Sequence, residues 1–279
     1  MFTPKHTCSL LILLAVTLPL GNASAQELSE EDAWKALPRY EHGQDLGALL
    51  VIDREVIKAM NSPESRSVCA ARLAGLLVDP KTTLAARQNI CLQLRQIGTS
   101  AEVPVLRQLL ATPETSEMAR QALQAIPGPE SADALRAALG QLDDRLLVGV
   151  INSIAARRDT QAVPALQRLA DSPNTHVAAA AIWALGSIAD QPSTSFLVAR
   201  AAQAPVPTPR SLAIPLLRCA ERAGEPAAAA AIFTQLSQTG QARGVRRAAL
   251  EGLLRLQEER APETVVTWLT DPDHERQVI

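Results

Sequence analysis

The chain has 279 residues and a formal net charge of −2 at pH 7, with 27 Lys and Arg against 29 Asp and Glu. This near balance argues against a nucleic-acid binder, which needs a basic face for phosphate contacts. Hydrophobic residues make up 47% of the chain and aromatic residues only 3%. A core of Ala, Leu, Val and Ile favours closely packed helices over a β-sandwich or barrel.

The first 25 residues have the pattern of a secretory signal peptide. Lys5 and the amino terminus form a charged start, residues 10–20 are apolar, and Ala23-Ser24-Ala25 suits signal peptidase. The apolar run is about half the roughly 20 residues that a membrane-spanning helix needs. We therefore expect cleavage before Gln26 and a periplasmic or secreted protein that is not inserted in the membrane. A retained anchor is the alternative.

Residues 26–61 do not follow the pattern of the later chain. We expect them to form a mainly helical N-terminal cap, because the terminal unit of a repeat protein needs a covering face. The segment is rich in large apolar residues: Trp34, Tyr40, Leu46, Leu49, Ile52, Val56, Ile57 and Met60.

From residue 62 to residue 279, a short apolar signature recurs at the end of a helical pattern. Spacings of about 28 to 36 residues indicate one small helical unit laid down repeatedly. Each unit is predicted to contain two helices, neither stable alone in water. The signatures are Leu94-x-x-Ile97, Leu123-x-x-Ile126, Ile151-x-x-Ile154, Leu185-x-x-Ile188 and, more loosely, Leu253-x-x-Leu256.

The clearest unit spans residues 160–190. Pro164 suits the first turn of its first helix, where a missing N–H has no intrahelical partner. Asp171-Ser172-Pro173-Asn174 ends that helix and supplies capping side chains for the second. The second helix then places one apolar stripe at the spacing of an amphipathic helix: Val177, Ala181, Ala184, Leu185 and Ile188.

Two motifs of this unit, Ala162-Val163-Pro164-Ala165-Leu166 and Ala184-Leu185-Gly186-Ser187-Ile188, resemble HEAT repeats of the armadillo type. They are most similar to the short bacterial repeats described as phycocyanobilin-lyase-like. The resemblance covers roughly residues 62–279 and is closest between about 98 and 190. It implies an all-α, right-handed α-solenoid in which each helix pair packs on its neighbours.

The C-terminal end of the repeat pattern is incomplete. Val265, Val266, Trp268 and Leu269 begin a further first helix, but the sequence ends at Ile279 before a second helix is complete. A frayed end, a partner-covered end and a shortened chain all fit this pattern.

No catalytic or cofactor motif is found, and we predict neither a metal nor a cofactor. His42, His176 and His274 are far apart and have no second ligand at helical spacing. His274-Glu275 resembles the pairs of deoxyhypusine hydroxylase, a di-iron enzyme built from HEAT repeats. That site needs several such pairs and the other repeats lack a second one, so we interpret His274-Glu275 as a solvated turn.

Cys69 and Cys91 lie about equally far from the turn at Asp79-Pro80, which places them at similar heights on two antiparallel helices. In an oxidising compartment this arrangement predicts a disulfide. Two small buried apolar residues are the alternative. Cys219 is expected to be a buried, inert thiol.

One position of the second helices, directly after the first signature residue, forms a column. On a helical wheel it lies roughly opposite the buried stripe, and second helices of such repeats usually line the concave face. Arg95, Gln124, Asn152 and Arg218, together with nearby Trp183, are therefore predicted to bind a partner. Alternatively, the column is an ordinary polar face. Its members are Arg95, Gln124, Asn152, Gly186, Arg218 and Leu254.

These patterns favour an exported, non-enzymatic scaffold or adaptor that binds a protein or peptide on its concave face. One alternative is a repeat-built enzyme, either a lyase or a metal-dependent hydroxylase. Another is a structural module that self-associates through its C-terminal end.

Overall fold

A computed structural model describes residues 28–256 and Val266. The predicted signal peptide, the incomplete C-terminal repeat apart from Val266, and His274-Glu275 lie outside the described residues. Within the described part, the chain forms α-helices and short 3-10 segments and no strands, which confirms the predicted all-α class. The helices are α1 (Glu30–Ala36), α2 (Gly47–Ala59), α3 (Pro63–Leu77), α4 (Leu84–Ile97), α5 (Val103–Leu109), α6 (Pro113–Ala125), α7 (Pro129–Ala138), α8 (Asp144–Arg157), α9 (Val163–Leu169), α10 (Thr175–Ile188), α11 (Gln191–Ala202), α12 (Arg210–Arg222), α13 (Pro226–Ser237) and α14 (Arg243–Leu256).

From α3 onward the helices form consecutive pairs, and the pairs stack. The second helices α4, α6, α8, α10, α12 and α14 contact one another in that order. The first helices form the other layer, in which α5 contacts α7 and α9 contacts α11. This is the predicted α-solenoid, in which each repeat packs on its neighbours. We call the solvent-exposed side of the second helices, with α2 at its start, the second-helix face.

The helix α2 extends this layer at its N-terminal end. It contacts α1, α3 and α4, and the amide of Gln93 on α4 donates a hydrogen bond of 2.5 Å to Asp53 of α2. The backbone N–H of Thr83 donates to the carbonyl of Pro38, 3.0 Å away. Residues 28–61 therefore lie against the first repeat.

Small residues allow the second helices to approach closely. The signature residues Leu94, Leu123, Ile151 and Leu185 have no exposed surface. Beside Leu185, an added Cβ at Gly186 would overlap the backbone and ring of Pro215 on α12. At this point α10 and α12 therefore meet almost backbone to backbone.

Arginine side chains connect successive repeats by binding the C-terminal ends of helices. A helix leaves its last carbonyls without intrahelical partners, and that end carries partial negative charge. Arg157 of α8 donates to four carbonyl oxygens at and just beyond the end of α6, those of Leu123, Gln124, Ile126 and Gly128, at 2.7 to 3.1 Å.

The same type of bond also joins the two helices of one repeat and two helices of the first layer. Arg66 of α3 donates to the carbonyls of Ile97 and Gly98 at the end of α4, at 2.9 and 3.1 Å. Arg200 of α11 donates to the carbonyl of Ala170 at the end of α9, 3.1 Å away. We call these interactions arginine caps.

The contact between α10 and α12 predicts opposite effects for two glycine substitutions. Gly186→Ala should destabilise the protein by about 1–3 kcal/mol, because the new methyl group overlaps Pro215. Gly75→Ala in α3, where an added Cβ meets nothing within 4 Å, should stabilise it by about 0.5–1 kcal/mol. Urea denaturation measures both, and a stabilised Gly186→Ala variant would contradict the close packing.

The arginine cap on α6 also predicts a measurable loss of stability. Arg157→Gln should lower the free energy of unfolding by about 2 kcal/mol, because several carbonyls lose a charged donor. Exposed Arg168 on α9 provides the matched control, and Arg168→Gln should change stability by less than about 0.5 kcal/mol. Equal shifts of the two denaturation midpoints would show that the cap contributes nothing specific.

Candidate partner-binding site

Trp183 and Arg218 form an aromatic–cation pair on the second-helix face. Trp183 of α10 is 40% exposed, and the guanidinium carbon of Arg218 on α12 lies 3.7 Å from its ring centroid, within the range of a cation–π interaction. Arg218 also donates to the hydroxyl of Ser187, 3.0 Å away. The indole is therefore held by a neighbouring repeat while much of it stays accessible.

A cavity of ≈480 Å³ lies beside this pair and joins three consecutive second helices. Two of its arginines bind the C-terminal end of α10. Arg158 donates to the carbonyl of Ile188, 3.2 Å away, and Arg222 donates to the carbonyl of Ser187. No Asp or Glu of the described residues lines the cavity, which is therefore locally positive. Its lining residues are Asn152, Ala155, Ala156, Arg158, Trp183, Ser187 and Arg222.

The backbone at Arg158 is strained. This residue follows α8 in the left-handed conformation, with φ of 54°, which costs a residue with a Cβ roughly 1–2 kcal/mol. The strained position places its guanidinium beside the end of α10. Helices often end in this conformation, and Ala189 adopts it after α10. Arg158 is a candidate binding residue because it lines the cavity.

A second cavity, of ≈330 Å³, lies between α4 and α6. Arg95 lines it and donates a long hydrogen bond of 3.4 Å to Gln121. Leu84 and Leu92 border it with 49% and 47% of their surface exposed. This groove therefore combines apolar walls with charged residues at its rim, which include Glu114 and Glu117.

Further exposed apolar side chains lie at the start of α2 and along it. Leu46, Leu50 and Ile57 are 51%, 55% and 62% exposed. The bond between Asp53 and Gln93 holds α2 against α4. We call Leu46, Leu50, Ile57, Leu84 and Leu92 the N-terminal apolar patch. Grouped apolar residues of this kind mark interaction surfaces more often than scattered ones do.

The predicted column does not lie opposite the buried stripe. Arg95 and Asn152 are exposed, but Gln124 is half-buried and accepts a hydrogen bond of 2.9 Å from Ser153 on α8. Gly186 is buried against Pro215. Each second helix packs against the first helix of the same repeat and also against the second helices on either side. The buried part of its circumference is therefore wider than the single stripe predicted from a helical wheel. The column faces the next second helix.

The structure brings only some of the predicted partner-binding residues together. Trp183 and Arg218 stack, and Asn152 shares a cavity with Trp183. Arg95 lines the other cavity, between α4 and α6. One helix position is exposed in all six second helices of the described chain. It lies six residues before the first residue of each signature and is occupied by Gln88, Glu117, Arg145, Ala179, Ser211 and Arg247.

Sequence reasoning missed Arg158 and Arg222, which contribute most of the positive charge of the larger cavity. Each lies at the end of a second helix, and its partner carbonyl is about 30 residues away in the chain. A signal was present in the basic composition, because the sequence contains 23 Arg but only four Lys. Arg presents a fork of five donors and suits bonds to several oxygens at once.

Cys69, Cys91 and Cys219 are free thiols in the structure. Cys69 lines a cavity with Trp34 and Arg72 beside α1 and α2, whereas Cys91 faces α6. Equal distance from the turn gives the two residues similar heights, but they lie on different sides of the helix pair. This placement argues against the predicted disulfide.

Burial disfavours the thiolate form of these cysteines. It raises the pKa of Cys91 to about 12 and also raises the pKa values of Cys219 and Cys69. A raised pKa is the opposite of what a nucleophilic cysteine needs.

Among residues 28–256 and Val266, no group of three or more His, Cys, Asp and Glu residues could hold a metal ion. None of the helices in this part of the chain has the length and apolar character needed to cross a membrane.

Comparison with known proteins finds a repeat family that resembles part of the chain. Residues 132–218, from α7 to α12, match the family model described as HEAT repeats, which confirms the resemblance predicted from the sequence motifs. No curated protein matches the chain. A solved structure, the complex of CpcE and CpcF of phycocyanin lyase from a Nostoc species, is similar at 21% identity and a TM-score of 0.41. That match covers 90% of this chain and 97% of the other.

The burial of the cysteines predicts their order of alkylation. At pH 8, iodoacetamide should modify half-buried Cys69 slowly in the native protein and should leave Cys91 and Cys219 unmodified, since alkylation requires the thiolate. In denaturant without reductant, all three should react. Intact-mass spectrometry measures both steps. Only one alkylated cysteine in the denatured, non-reduced protein would instead indicate a Cys69–Cys91 disulfide.

Proposed function

We propose that this HEAT-repeat protein is an exported, non-enzymatic scaffold or adaptor that binds a protein or peptide partner through its second-helix face. The observation that carries the proposal is the N-terminal apolar patch, five large side chains that are 47% to 62% exposed on two adjacent helices. Covering such surface removes apolar area from water and stabilises a complex.

The surroundings of the patch support a protein partner. Arg95, Glu114 and Glu117 border its groove with charges of both signs, as in interfaces with an apolar centre and a polar rim. Trp183 adds an exposed aromatic side chain farther along the same face. Tryptophan and arginine are the residue types that most often dominate binding energy.

Export is part of the proposal and is supported by the signal-peptide pattern of residues 1–25. A scaffold of this kind would act in the periplasm or outside the cell. The partner would then be found among exported or envelope proteins.

The enzymatic alternative requires reactive groups that converge on a cavity. The thiol that faces the groove between α4 and α6 is that of Cys91, and burial raises its pKa to about 12. The larger cavity offers Arg, Trp, Asn and Ser side chains, which suit recognition. These properties support the binding function over a lyase or hydroxylase.

Affinity capture tests the proposed function. Purified protein is used as bait for the exported fraction of its own host, and recovered proteins are quantified by mass spectrometry. Leu50→Asp with Leu92→Asp should reduce partner recovery at least tenfold, because two carboxylates are placed in an apolar interface. Arg95→Ala and Arg218→Ala should each reduce recovery by a smaller factor.

The matched control is Val78→Asp, at a residue that is 59% exposed at the end of α3 in the first-helix layer. It introduces one such carboxylate at a position outside the second helices and should leave recovery unchanged, whereas Leu50→Asp or Leu92→Asp alone should reduce it. Unchanged recovery by the Leu50→Asp, Leu92→Asp variant would rule out the second-helix face. Sedimentation at increasing concentration separates partner binding from self-association.

A further inference from the structure

We infer that the cavity between α8, α10 and α12 is a carboxylate-binding pocket that receives an acidic group of a bound peptide. The inference rests on the proposed function, because it identifies the chemistry that one part of the second-helix face recognises. The pocket lies on α8, α10 and α12, apart from the N-terminal apolar patch on α2 and α4, so each can be tested separately.

The pocket is positively charged. Arg158 and Arg222 line the pocket, and Arg218 lies over the Trp183 ring at its edge. No acidic residue of the described chain lines it. Glu221, the neighbour of Arg222 in sequence, has its carboxylate 4.0 Å from Arg255 of α14. Three permanently charged guanidiniums therefore lie around one cavity without a carboxylate in its wall.

The end of α10 compensates only part of this charge. Arg158 and Arg222 each donate to one of its carbonyls, and Arg218 donates to the Ser187 hydroxyl. A helix C-terminus is equivalent to about half a negative charge. The three arginines therefore leave the pocket positive.

The three arginines have donors that make no hydrogen bond within the described chain. A guanidinium has five N–H donors, and the hydrogen bonds found within the described chain use one from each of these three arginines. The exposed amide of Asn152 supplies further donors on the α8 side. Arginine binds a carboxylate through paired hydrogen bonds, which are stronger than bonds between neutral groups.

The apolar walls restrict the type of anion. Ala155, Ala156 and the Trp183 ring line the same cavity, whose ≈480 Å³ is within the usual range for small-ligand sites. A fully hydrated ion gains little binding free energy from apolar walls. A peptide that carries a carboxylate next to an apolar side chain can contact the arginines and the apolar wall together. The carboxylate can be the C terminus of the peptide or the side chain of Asp or Glu.

Two random heptapeptide libraries, identical except for a free or an amidated C terminus, distinguish these sources. Each is passed over the immobilised purified protein, and retained peptides are sequenced by mass spectrometry. Recognition of the C terminus predicts retention from the free-acid library alone. Recognition of a side chain predicts enrichment of Asp or Glu in both libraries. Retained peptides without a carboxylate, or no retained peptides, would overturn the inference.

Calorimetric titration of the most enriched peptide then tests the residues. Asn152→Asp adds a negative charge at an exposed position of nearly the same shape and should weaken binding at least tenfold. Arg158→Gln with Arg222→Gln should do the same. Arg200→Gln removes an arginine cap in the other helix layer and should bind like the parent. Equal affinity of the Asn152→Asp variant and the parent would contradict the pocket.

The variants also separate this inference from the proposed function. If partner capture is lost in the Leu50→Asp, Leu92→Asp protein while the selected peptides lack carboxylates, the scaffold function stands and the pocket does not. If the parent protein captures no exported partner, the scaffold function falls, whatever the peptide libraries select.

Discussion

Bonds from arginine to the C-terminal ends of helices join neighbouring helices of this solenoid, both within one repeat and between repeats. Apolar burial drives the pairing of helices, but a stack of short helices also produces many C-terminal ends whose carbonyls need donors. Arg157 satisfies several of them at α6, and Arg66 does so at α4. Because donor and acceptor belong to different helices, each such bond also fixes how one helix lies on the next.

At α10 the same bonds give rise to a candidate binding pocket. Arg158 reaches the end of this helix from α8 and Arg222 reaches it from α12. Guanidinium groups from both neighbouring repeats thus lie at one helix end, beside the exposed Trp183. The interaction that orders the stack also concentrates donors at one place on its surface.

The repeat signature was sufficient to predict the helix pairs, because the apolar spacing that marks Leu185 and its equivalents as buried is visible within each helix. Side-chain direction was harder to predict. The prediction of an exposed Gly186 is wrong, because this residue packs on Pro215. Cys69 and Cys91 face different neighbours, although their spacing predicts a pair. These side-chain directions depend on residues about 30 positions away in the chain, which a helical wheel of one helix does not include. Arg158 was missed for the same reason.

The contact between Gly186 and Pro215 has a mechanical consequence. A solenoid under tension lengthens where neighbouring repeats can slide or separate gradually, and flexible side chains at an interface permit such movement. Between α10 and α12 the two backbones touch, with little side-chain material to deform. We therefore expect this joint to resist sliding and separation of α10 and α12, which would help the cavity beside it to keep its shape when the helices move.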